Sequence, residues 1–101
     1  MAKFLKLEDV EKEAAMNPDT FFIPSDKERK SQKVGDSVML HFILDNPDEN
    51  EPRAERMWVT ITRERGIFTS YKGVLEDNPL YIENLMVGDE ISFNACHIAQ
   101  T

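Results

Sequence analysis

The run Arg56-Met57-Trp58-Val59-Thr60-Ile61-Thr62-Arg63 constrains the fold more than any other segment of the chain. Met57, Val59 and Ile61 alternate with Trp58, Thr60 and Thr62, and a period of two puts the first set on one face of a strand and the second on the other. A strand apolar on one face only belongs to an antiparallel sheet with that face on the core, since the strands of a parallel sheet are buried on both faces.

Other segments repeat this texture. Ser37 to Leu44 is mostly apolar, Ile67 to Leu75 follows a hairpin turn at Glu64-Arg65-Gly66, Leu80 to Glu83 is short, and Glu90 to Ile98 places Ile91, Phe93 and Ala95 on one face. Asp45 to Glu55, with Pro47, Pro52 and several acids, is a loop, and Asp77-Asn78-Pro79 is a turn. Before the strands, Glu8 to Met16 reads as a helix with Leu7, Val10 and Ala14 on one stripe, closed by Asn17-Pro18. Ser25 and Glu28 form a capping-box signature for a brief second helix through about Lys30. That helix has no apolar stripe, so Lys27, Arg29, Lys30 and Lys33 read as a solvated face. The expected architecture is α+β: an N-terminal helix and a short second helix packed on a strongly bent, barrel-like antiparallel sheet of about five strands. With 101 residues this is one domain over 1–101, helical through 33 and β from 34.

One echo runs through the β part. Lys33-Val34-Gly35-Asp36-Ser37-Val38 and Met86-Val87-Gly88-Asp89-Glu90-Ile91 share Val-Gly-Asp ahead of a strand. The expected device is a turn with Gly at positive φ and the Asp side chain accepting from backbone N–H groups.

Charge and residue usage exclude several functions. Net charge is −7, and residues 76–101 carry five acids and no Lys or Arg. Nucleic acid is a poor partner for such a surface, because binding it requires cations that displace counterions. No apolar run reaches membrane-spanning length, and Glu8 and Asp9 interrupt any signal-peptide core, so a cytoplasmic protein is expected. The single Cys96 agrees with a reducing compartment. Neither a Gly-rich phosphate loop nor local metal-ligand spacing occurs, and no cofactor or metal is expected. Cys96 and His97 are adjacent, but neighbouring strand residues point to opposite faces, leaving only His41 to serve the thiol; Cys96 reads as a small core residue. Trp58 lies on the more polar face of its strand, either covered by the N-terminal helix stripe, the favoured placement, or partly open as a partner anchor.

Asn17-Pro18-Asp19-Thr20-Phe21, Ile23-Pro24-Ser25, Gly35-Asp36, Glu55-Arg56-Met57-Trp58-Val59, Gly73-Val74-Leu75, Asn78-Pro79, Leu85, Gly88-Asp89 and His97-Ile98 occur in an order that resembles the YegJ-like bacterial proteins, domain of unknown function 2314. Cys96 departs from the polar or acidic residue expected before His-Ile, which further discourages a catalytic thiol. The resemblance spans nearly the whole chain and implies a small, soluble, bacterial α+β protein without an assigned activity or cofactor. Of the matched positions, Gly35, Gly73, Gly88 and Pro79 have turn or packing explanations. Arg56, Trp58, Asn78 and His97 do not, and they form the candidate contact patch.

Two readings follow. The first is a non-catalytic module that docks a protein partner, a basic one suiting the acidic surface, an inhibitor or immunity-type protein being one form of it. The second is a small ligand-binding barrel or enzyme using His97 with a neighbouring carboxylate as acid and base. Oligomeric state is open, since exposed strand edges can pair with a copy or be guarded by charge.

Overall fold

The computed structural model describes residues 1–65 and 70–101. Five strands, β1 (Lys3–Leu7), β2 (Ser37–Asp45), β3 (Ala54–Arg65), β4 (Ser70–Leu75) and β5 (Glu90–Asn94), form one antiparallel sheet in chain order. Two short helices, α1 (Val10–Met16) and α2 (Asp26–Lys30), connect β1 to β2, and a 3-10 turn, η1 (Ala95–His97), follows β5. Both helices pack on η1. Beyond η1 the chain reaches the free edge of β2, where Met39 N–H donates to Gln100 O (2.8 Å) and Ala99 N–H donates to Met39 O (2.9 Å). This link brings the bent sheet close to a closed barrel, the α+β architecture expected from the sequence.

The alternation along β3 sets the interior. Met57, Val59 and Ile61 face Val38, Leu40 and Phe42 of β2, Tyr71 and Leu75 of β4, and Ile91 and Phe93 of β5, all buried. Phe4 packs on Phe42 with ring centroids 5.4 Å apart, and Tyr71 stacks on Phe93 at the same separation. Gly73 is a close-approach position: a Cβ there would lie 2.5 Å from Val59 Cγ1 and 2.6 Å from Thr60 O.

The two Val-Gly-Asp segments form the same turn. Gly35 and Gly88 have φ of 96° and 92°. Asp36 Oδ2 accepts from Lys33 N–H at 2.8 Å, and Asp89 Oδ2 accepts from Met86 N–H at 2.9 Å. Each glycine N–H then donates to the neighbouring strand, to Ile61 O and to Leu75 O, both at 2.8 Å.

Several sequence expectations are corrected. The first segment, Lys3–Leu7, is a strand, concealed because a bulge between Phe4 and Lys6 breaks its alternation and leaves Leu5 exposed. The first helix starts at Val10, not Glu8, because Asp9 is the N-cap and accepts from Lys12 N–H at 3.1 Å. Leu80 to Glu83 is not a strand. The N–H groups of Leu80 and Tyr81 donate to the buried Glu55 carboxylate at 2.6 and 3.1 Å, and only Ile82 makes a bridge, to Ala2. The last strand stops at Asn94, so Cys96 and His97 sit in a 3-10 turn and not on opposite sheet faces. Arg29 is not solvated. It is buried, with Nε donating to Pro24 O (2.9 Å) and its guanidinium paired with Glu11 and bonded to Ala95 O. The expected turn at Glu64-Arg65-Gly66 and the start of the next strand fall partly on 66–69, outside the described residues. No helix among the described residues is long and apolar enough to cross a membrane.

Candidate functional site

The outer face of β2 and β3 carries two of the candidate residues, Arg56 and Trp58. Because β2 and β3 pair in the register Met39↔Trp58 and His41↔Arg56, these four residues share that face. The segment following α1 returns across it, and Thr20 to Pro24, Met39, His41, Arg56 and Ala99 to Thr101 line a cavity of about 500 Å³. Phe21 meets His41 edge-on with centroids 6.1 Å apart. Phe22, by contrast, is 78% exposed at the edge of this cavity.

Trp58 is half-buried, without the complete covering expected from the helix stripe, since both helices pack on η1. Its backbone is tied to the loop after β4: Trp58 N–H donates to Asp77 Oδ2 at 2.7 Å and Glu76 N–H to Trp58 O at 3.0 Å. With Leu80 and Tyr81 held by Glu55, this loop runs along the edge of β3, which brings exposed Asn78 beside the strand carrying Arg56 and Trp58. Three of the four candidate residues therefore share one region. His97 does not. It lines two other cavities, one with Arg63 and Lys72, the other with Phe4 and Leu7.

His97 Nδ1 accepts from Asn94 N–H at 3.0 Å, which fixes the proton of the neutral ring on Nε2. Burial lowers its pKa, against the opposing effect of the Asp9 and Glu11 charges. None of the described carboxylates hydrogen-bonds its ring. Burial also pushes the Cys96 thiol up, with Asp9 and Glu11 adding to the shift, the reverse of what a nucleophile needs. Cys96 is half-buried and free.

A network missed in the sequence lies behind the cavity. Glu8, buried at 4% exposure, places Oε1 3.0 Å from His41 Nδ1 and pairs Oε2 with Arg53. Burial alone would raise the Glu8 pKa, but the hydrogen bonds and charges of Arg53 and His41 outweigh it and the net shift is downward. Residues 8, 41 and 53 are remote in the chain, so no spacing rule joins them. The one available signal was His41 itself, a polar side chain within the otherwise apolar run Val38 to Leu44. Among the described residues no group of three His, Cys, Asp or Glu side chains is placed to hold a metal ion.

No family model matches the chain, and no curated protein or solved structure matches it.

Proposed function

We propose that this chain is a non-catalytic, cytoplasmic protein-binding module that docks its partner through the outer face of β2 and β3. The observation that carries this reading is that Arg56 and exposed Phe22 line one concave floor, with half-buried Trp58 next to Arg56 on the same face of β3. Arg and large aromatic side chains supply most of the binding energy at protein interfaces, where a ring gives much contact area at small entropic cost. Asn78 adds an amide at the border. The acids of the neighbouring loop, Asp45, Asp48 and Glu49, are exposed and suit a basic partner, as in inhibitor or immunity-type proteins. The order of motifs shared with the YegJ-like proteins supports membership of that family and leaves this reading unchanged.

A second reading is a ligand-binding or acid–base site. The sequence points to His97 with a carboxylate, but the pairing that favours this reading is at His41, whose Nδ1 lies 3.0 Å from Glu8 Oε1. The two readings separate experimentally. Affinity capture from the source cell, compared between wild type and folded Arg56→Ala and Trp58→Ala variants, is expected to return one partner that both variants lose. Rebinding of that purified partner should weaken at least about tenfold in each variant. Equal retention by all three proteins would overturn the docking reading.

A further inference from the structure

The outer face of β3, β4 and β5 carries an arrangement that the docking reading does not use. Arg63 of β3 stands directly opposite Lys72 of β4, and Arg65 follows two residues on, opposite Ser70. Like charges at directly opposed positions destabilise a sheet. A chain with 19 acidic residues against 12 Lys and Arg had acids to spare for this spot, yet three cations occupy it.

The acid between the two arginines does not relieve them. Strand alternation turns Glu64 to the other face, where it accepts from Val34 N–H at 3.2 Å and pairs with Lys33 at 3.6 Å. Glu90 lies 3.7 Å from Lys72 and offsets one charge. Among the described residues Arg63 and Arg65 make no ion pair. The three cations line a cavity of about 360 Å³ whose remaining wall includes the neutral donors Ser70, Ser92 and Asn94, within the size range of small-molecule sites.

We propose that this concave face binds a small molecule bearing a phosphate group, with Arg63, Arg65 and Lys72 neutralising it and Ser70, Ser92 and Asn94 donating to its remaining oxygens. Guanidinium groups bind phosphate oxygens in pairs, which suits two arginines on one face of a strand. The ligand is small because the patch is small. β5 and everything beyond it contribute no Lys or Arg, so a long polyanion would find no further cations along that side.

The test is a ¹⁵N-resolved NMR titration of the whole chain with inorganic pyrophosphate at low ionic strength. Saturable shifts confined to β3, β4 and β5 are expected. Affinity should fall about tenfold or more in Arg63→Ala and in Lys72→Gln, while Lys3→Ala, paired opposite Asp45 at the far end of the sheet, leaves it unchanged. Relief of the like-charge pair should also raise the thermal midpoint of ligand-free Arg63→Thr. Absence of saturation, shifts spread over all basic residues, or wild-type affinity in both patch variants would overturn the site. Tighter binding of a short single-stranded oligonucleotide than of pyrophosphate would overturn the small-molecule assignment.

Discussion

Glu8 shows how a single carboxylate can tie three parts of this molecule together. It directly follows β1, grips His41 on β2 and holds Arg53 ahead of β3. Replacing it by Gln keeps the shape but removes the charge that His41 and Arg53 share, and Glu8→Gln is expected to destabilise the fold by about 1–3 kcal/mol in urea unfolding. The pH dependence has a definite sign. Glu8 and His97 both have pKa values below their ordinary 4.5 and 6.5, so the unfolded chain binds more protons than the folded one as pH drops. Their stabilisation is fully present above those values and is lost as pH falls through the lower folded-state values. Acid titration of stability should therefore show a decline beginning below about pH 6.5 that is shallower in His97→Gln, and a second below about pH 4.5 that is shallower in Glu8→Gln. At this scale the sequence was informative about Arg56 and Trp58, whose face follows from alternation. It was silent on Glu8, whose importance comes from partners 33 and 45 residues away.

The two Gly-Asp turns are the elements that local chemistry specifies best. Each combines a positive-φ glycine, an aspartate that closes the turn, and a glycine N–H spent on the adjacent strand. Among the described residues, apart from its chain neighbours, nothing lies within 4 Å of a Cβ built at Gly35 or Gly88, so alanine there meets only the backbone penalty. Gly35→Ala and Gly88→Ala should each lose about 1–2 kcal/mol, and asparagine should lose less. Gly73→Ala fails for a different reason, since its Cβ would overlap Val59 and the Thr60 carbonyl; a loss of about 1–3 kcal/mol without any rescue by asparagine is the expected result of the same unfolding assay. Elements without such local signals were read less well. β1 hides behind its bulge, and Leu80 to Glu83 has strand-like residues, of which Leu80 and Tyr81 give their N–H groups to Glu55 instead of a neighbouring strand.

For the molecule as a whole, charge is divided between faces. The net −7 is spread over loops and the last quarter of the chain, while Arg63, Arg65 and Lys72 form a local exception. Association with a basic partner at the β2–β3 face should slow as salt rises, because screening removes long-range attraction, whereas its dissociation rate should change little. Stopped-flow association at two ionic strengths checks this, and a salt-independent association rate would argue against a basic partner.

Period-two alternation, two Gly-Asp turns and two capped helices are local properties, and from them the sequence by itself determined an α+β chain with a bent antiparallel sheet and named the face on which Arg56 and Trp58 lie. Tertiary structure decided what depends on distant residues meeting. It brought Asn78 beside the strand that carries Arg56 and Trp58 and left His97 away from it, buried Arg29 and Glu8, and set Arg63 against Lys72. The physical reason is range: backbone periodicity and turn chemistry act over a few residues, whereas ion pairs, strand register and cavities join positions that nothing in their spacing relates.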